Sequence, residues 1–238
     1  MKLSNFVEIQ RNKTLSPTMM KHKLLSMFLL STSVICSAAE PVDYVNTLVG
    51  TQSKYELSTG NTLPLVAMPW GMNSWTPQTG KNGDGWSYTY NADKIVGFKQ
   101  THRPSPWIND YGQFSLMPAV TGKPVFLESE RASWFSHKAE KATPYSYKVY
   151  LADHDVTTEF TATERAAKFR FTFPKAELST VIIDAFDSGS SVSIDASTRR
   201  ITGYTTKNVG GVPDNFKNYF VIEFDTPFSY SATVLDSV

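Results

Sequence analysis

The chain has 238 residues, 41 % of them hydrophobic and 13 % aromatic, and carries a net charge of +1. That length supports one substantial core, or one domain plus part of another. The near-neutral balance, without acidic or basic runs, lacks the electrostatic footprint of a nucleic-acid binder.

Residues 1–39 read as a leader. Lys21 and Lys23 form a positive start, and Leu24 to Ile35 form an apolar stretch too short to span a membrane. Ser37-Ala38-Ala39 offers small residues for cleavage before Glu40. This is the pattern of a secretory signal peptide, with Met19 or Met20 as the natural start and the first 18 residues as an artefact of start-site choice. A lipoprotein would use Cys36, but Ile35 before it is bulkier than such sites accept. Cys36 is the single cysteine, so a mature chain from residue 40 to 238 holds no disulfide.

Residues 40–112 are rich in Gly, Pro, Asn and Trp and poor in clean strands, with one short helix expected over Val42–Leu48. Long irregular stretches inside a domain are usually functional. Trp70 and Trp75, in a run punctuated by Pro64, Pro69 and Pro77, are either core residues or platforms for a pyranose face. After the Gly83-Asp-Gly turn, Trp86, Tyr88 and Tyr90 alternate and so project to one face of an expected strand. Tyr90 reads as core and Trp86 as a platform, with Asp84 holding the turn or binding a hydroxyl.

The most unusual stretch is Phe98-Lys-Gln-Thr-His-Arg-Pro-Ser-Pro-Trp-Ile-Asn-Asp-Tyr-Gly. Pro104 and Pro106 fix their own φ and push their predecessors out of the helical region, which makes a stiff extended loop. A flat indole beside charged hydrogen-bonding groups suits a sugar, with its apolar C–H faces and hydroxyl rim. The bland alternative is a loop plugged into the body by Trp107 and Tyr111. His102 can be an acid/base, a ligand or a donor; Asp110 can pair with Arg103 or grip a hydroxyl.

Beyond residue 112 the period is two. Strands are expected over 145–151, 156–164, 168–173, 191–195, 200–205 and 219–224, with 180–186 as a continuous apolar run buried on both faces. A further strand is expected to begin near Phe224. The spacing is that of an all-β sandwich with long irregular loops. The four histidines, at 22, 102, 137 and 154, make no metal-spaced cluster, and Glu128, Glu130, Asp184 and Asp187 read as solvated. Nucleophile elbows, P-loops and dinucleotide fingerprints are missing from the sequence.

Several ordered motifs resemble glycoside hydrolase family 92, the exo-acting α-mannosidases: Gly60-Asn-Thr-Leu-Pro, Pro69-Trp-Gly-Met, Trp75-Thr-Pro-Gln-Thr-Gly, residues 95–112, Met117-Pro, and the run from Phe135 through Arg165. The resemblance covers about residues 41–230, with Arg103 in place of an expected Gln and Leu65-Val-Ala-Met as a mild variant. It implies a supersandwich-like N-terminal β-sandwich, followed in the family by an (α/α)6-barrel absent from this chain. It implies Ca2+-assisted, inverting hydrolysis of terminal α-mannosyl linkages, with the catalytic carboxylates and calcium ligands in the helical domain. No catalytic or metal-binding residue is therefore expected here. By resemblance, Trp86, His102, Trp107 and Asp110 are the candidates for sugar contacts at the domain interface. The partners implied are a mannose-containing glycan and the helical domain, and the location is periplasmic or secreted in a bacterium. The chain alone is expected to be inactive and, with an apolar face left uncovered, prone to aggregate. The rival expectation is a standalone carbohydrate-binding or structural β-sandwich.

Overall fold

A computed structural model describes residues 39–52, 62–80, 87–102, 110, 114–123, 125, 127–176, 178–185, 189–206 and 212–229. The strands are, in chain order, β1 (Val66–Ala67), β2 (Ser74–Gln78), β3 (Lys94–Ile95), β4 (Gly97–Thr101), β5 (Ser115–Val120), β6 (Ser133–Trp134), β7 (Lys141–Ala142), β8 (Tyr147–Leu151), β9 (Val156–Ala162), β10 (Ala167–Thr172), β11 (Ser179–Asp184), β12 (Ser191–Asp195), β13 (Arg200–Thr205) and β14 (Asn218–Glu223). One helical turn, α1 (Glu128–Arg131), lies between β5 and β6.

All pairing among the described residues is antiparallel. A five-stranded sheet runs β1-β2-β4-β5-β11, a four-stranded sheet β10-β9-β8-β7, and a three-stranded sheet β12-β13-β14, with β3 and β6 as a separate pair. The period-two reading explains the second sheet directly. Along β8, Tyr147, Val149 and Leu151 are buried while Lys148 and Tyr150 point out, and β9 continues the alternation with Val156, Thr158, Phe160 and Ala162 inside.

These inward residues meet one face of the five-stranded sheet, which makes the β-sandwich. Phe98 of β4 sits edge-on to Phe160 at 5.7 Å between ring centres. Trp75 of β2 sits edge-on to Phe169 of β10 at 4.8 Å and to Phe114 at 5.4 Å. Its indole N–H donates to Asn73 Oδ1 at 2.8 Å, so the ring is core with its polar tip satisfied. The three-stranded sheet joins through Phe220 of β14, stacked on Phe114 at 4.4 Å.

Four expectations need correction. The short helix near Val42 is a single 3-10 turn, Pro41–Tyr44; no hydrophobic face there is buried to sustain more. Residues 87–90 form no strand, so the alternation of Tyr88 and Tyr90 reflects turn packing rather than a pleat. Nor is β11 buried on both faces: Thr180 to Asp184 are only half-buried, because β11 is the edge strand of its sheet. From Phe224 to Ser229 the chain is irregular.

Candidate functional site

The second face of the five-stranded sheet is polar and yet buried. Register partners share a face, so Thr76 and Gln78 of β2, Lys99 and Thr101 of β4 and Ser115 of β5 lie together. All five are buried. A buried polar layer persists only where its groups find partners, and here Lys99 of that layer pairs with Asp110.

Asp110 is the clearest case. Its Oδ1 accepts the backbone N–H of His102 at 2.8 Å. Its Oδ2 lies 3.4 Å from Lys99 Nζ, with both side chains fully buried. One carboxylate thus clamps the start and the end of the loop from 102 to 110 and fastens both to the middle of β4. A buried pair adds little net stability, but removing one partner strands the other charge at a cost of about 3–5 kcal/mol. His102 stands at the end of β4, partly exposed. Trp86 and Trp107 lie outside the described residues. His102 and Asp110 are therefore joined by a hydrogen bond from the His102 main chain.

A second anchor is Arg131. Its Nε donates to the Val96 carbonyl at 2.8 Å and its guanidinium to Asp184 at 2.7 Å, with Glu128 3.7 Å away. Gln78 Nε2 reaches both the Gly80 carbonyl at 2.9 Å and Glu128 at 3.5 Å. Asp184 and Glu128 are thus not solvated bystanders, as their sequence context suggests, but partners of a buried arginine. His154 sits behind it, with Nε2 2.9 Å from the Arg131 carbonyl and Nδ1 accepting the Val120 N–H at 3.4 Å.

A third cluster escaped sequence reasoning altogether. The Glu140 side chain is fully buried, and the hydroxyls of Tyr88 and Tyr147 donate to its Oε1 at 3.0 and 2.6 Å. His137 Nδ1 lies 2.5 Å from Oε2, while Nε2 lies 2.7 Å from the Tyr90 carbonyl. The imidazole stacks on the Tyr90 ring, 3.9 Å between centres. Burial first, and then the charge and hydrogen bond of Glu140, hold the Tyr88 and Tyr147 hydroxyls well above their ordinary pKa, so both remain donors. The available signal was the His137-x-x-Glu140 spacing after Ser136, whose hydroxyl accepts the Lys138 N–H and starts the turn. The cluster holds Tyr90 at the surface, where the sequence had suggested core.

Trp70 is the opposite of Trp75. It is fully exposed, with φ of 63°, in a tight turn closed by Gly71 N–H on the Met68 carbonyl at 2.9 Å. A left-handed tryptophan costs about 1–2 kcal/mol. The adjoining Met72 N–H bonds to the Glu164 carbonyl at 2.9 Å, which pins the turn against the loop after β9.

The family resemblance implies calcium. Among the described residues no group of three His, Cys, Asp or Glu is placed to hold a metal ion. Asp110, Asp184 and Glu140 each face a cation or hydroxyl donors of their own. The donor set present does not fit a calcium cage, which needs several converging oxygens.

Comparison with known proteins agrees with this scaffold. The glycosyl hydrolase family 92 N-terminal domain matches residues 44–237. An inverting mannosidase of that family from Bacteroides thetaiotaomicron is 50 % identical, with a TM-score of 0.74, over 80 % of this chain and 26 % of its own. A family 92 α-mannosidase from the same organism is 28 % identical with a TM-score of 0.56, over 68 % of this chain and 23 % of its own. An uncharacterized secreted glycosidase of Arthroderma benhamiae is 24 % identical over 203 residues, 25 % of its length. The chain spans about a quarter of each of these relatives, and it belongs to glycosyl hydrolase family 92, as that family's N-terminal domain.

Proposed function

We propose that residues 40–238 are the N-terminal β-sandwich of an exported, Ca2+-dependent inverting α-mannosidase that trims terminal α-mannosyl units from glycans, with residues 1–39 as leader. The chain supplies part of the sugar pocket and is inactive alone. The observation that carries this reading is the 50 % identity to an inverting mannosidase over 80 % of the chain. Inversion needs two carboxyl groups with a water between them. Among the described residues Asp110, Asp184 and Glu140 are engaged by Lys99, by Arg131 and by two tyrosines, which favours a reading in which acid and base come from elsewhere in the polypeptide.

Trp86, His102 and Trp107 are the proposed sugar contacts, and Asp110 serves the same pocket by holding the His102 main chain. The test joins this chain to the remaining length of the 50 % identical mannosidase and assays mannose release with calcium present. The joined protein should be active, residues 40–238 alone inactive. Alanine at Trp86, His102 or Trp107 should lower kcat/KM at least tenfold with the fold intact. Unchanged kcat/KM in all three would remove the pocket role, and activity of the short chain would move catalysis into this domain.

A further inference from the structure

Residues 87–90 form no strand, yet Ser87 and Tyr88 are completely buried. Backbone without a ladder must find its hydrogen bonds elsewhere, and each of the four residues is bound. The Ser87 carbonyl accepts the Thr79 and Gly80 amides at 2.8 and 3.2 Å. The Thr89 amide donates to Thr79 Oγ1 at 2.9 Å, and the Tyr90 amide to the Thr51 carbonyl at 3.2 Å. Thr79 and Gly80 directly follow β2, so these bonds tie the segment to the five-stranded sheet.

The Glu140 cluster ties it to the four-stranded sheet. Tyr88 donates to Glu140 Oε1, His137 Nε2 meets the Tyr90 carbonyl, and the imidazole lies within 4° of the Tyr90 ring plane. Glu140 also holds the hydroxyl of Tyr147, the first residue of β8. The protons follow from the partners. A carbonyl only accepts, so His137 Nε2 carries a proton; Nδ1 faces a carboxyl oxygen, so a second proton lies between those two atoms.

Stability alone does not ask for this arrangement. Apolar side chains of similar volume often hold a core as well as buried charged groups do. A fully satisfied polar network contributes a single geometry instead. We propose that Glu140 and His137 are positioning residues of the sugar pocket: they lock residues 87–90, and Ser87 follows Trp86 directly in the chain. The proposal rests on the reading of Trp86 as a sugar contact. A contact made equally to substrate and transition state acts on KM rather than kcat, so releasing the lock should raise KM.

The test has two readouts. On the 238-residue chain, amide hydrogen exchange at Thr89 and Tyr90 is compared with exchange in the β8–β9 ladder. On the chain joined to the remaining length of the 50 % identical mannosidase, kcat and KM for mannose release are measured with calcium present. Glu140→Leu should speed exchange at Thr89 and Tyr90 at least tenfold more than in the ladder. It should raise KM at least tenfold, with kcat changed less than threefold. Glu140→Gln should bring both readouts back to within threefold of the parent, because its amide N–H can donate to Nδ1 while its oxygen keeps the two phenols. Tyr88→Phe should raise KM more than Tyr147→Phe, since each removes one donor from Oε1 and only Tyr88 belongs to the segment. If Glu140→Leu does not fold, His137→Phe is measured in its place; it keeps a flat ring against Tyr90 and loses both hydrogen bonds.

Equal acceleration at the segment and in the ladder would make the cluster a support of the whole sandwich and overturn the proposal. Local acceleration with KM unchanged overturns it too, as does a Glu140→Gln protein as impaired as Glu140→Leu. Mannose release by the parent without local acceleration in the variants leaves the proposed activity standing and removes the lock. Local acceleration without mannose release by the parent removes the proposed activity and leaves Glu140 and His137 as the lock on residues 87–90.

Discussion

Asp110 shows how a single side chain can tie a main-chain amide to a buried lysine. Asp110→Ala leaves Lys99 charged and buried beside Thr76 and Ser115, so urea denaturation should show a loss of about 3–5 kcal/mol. Pairing it with Lys99→Met should restore much of that loss, since the stranded charge is gone. A double mutant no more stable than Asp110→Ala would mean that the hydrogen bond to His102 carries the effect instead. The tyrosines around Glu140 make a second prediction at this scale. Their hydroxyl pKa is raised in the fold, so the folded state binds more protons than the unfolded chain above about pH 10. Stability from Tyr88 and Tyr147 is complete below that pH and is lost as pH rises past it. Absorbance at 295 nm should show the Tyr88 and Tyr147 hydroxyls ionising only as the protein unfolds; Glu140→Gln should weaken this coupling.

Among the elements, the turns between strands hold the most specific chemistry. Asp195 ends β12 and its Oδ1 accepts from the Ser197 hydroxyl at 2.6 Å and from the Ser197 and Thr198 amides at 3.0 and 3.2 Å. These bonds, the Ser197 hydroxyl first, pull its carboxyl down to about 2. A lowered pKa contributes stability above the unfolded value near 4 and loses it as pH falls toward 2. The Ser197 and Thr198 amides should therefore lose exchange protection across that window, and Asp195→Ala should show the loss already at pH 7. The Trp70 turn is a different case. Trp70→Gly removes the left-handed strain of about 1–2 kcal/mol but adds about 0.5–1 kcal/mol of unfolded-chain entropy. Because the ring is fully exposed, a stability gain of up to about 1.5 kcal/mol is expected by thermal unfolding. A loss above 1 kcal/mol would show that the indole packs on something in solution.

For the whole molecule, exposed apolar surface sets the behaviour. Phe169, Phe171, Ile183 and Ile222 line a trough without full cover, and Tyr219 and Val221 are exposed on the outer face of β14. Surface of this kind associates, so light scattering from the purified chain should rise with concentration and with salt. A monodisperse, thermally stable monomer would contradict that expectation.

The strands from 147 to 223 were legible in the sequence because an alternating pattern has one local meaning, a pleat with one wet face. The motifs between residues 60 and 165 likewise carried the family, since their order and spacing survive without knowledge of any contact. The sequence also marked residues 98–112 as special through Pro104 and Pro106, which act on their own backbone, although Phe98–Thr101 belongs to β4 rather than to a loop. Tertiary structure alone decided which polar residues are buried. Lys99 alternates like any strand residue, and only the return of Asp110 makes its burial tolerable. Glu140 meets Tyr88 from 52 positions away, Arg131 meets Asp184 from 53, and nothing local signals either pairing. It also separated Trp70 from Trp75, two indoles five residues apart with similar surroundings in sequence, one in solvent and one in the core. Periodicity is a property of neighbours in the chain, whereas the partner of a buried charge is chosen by the fold.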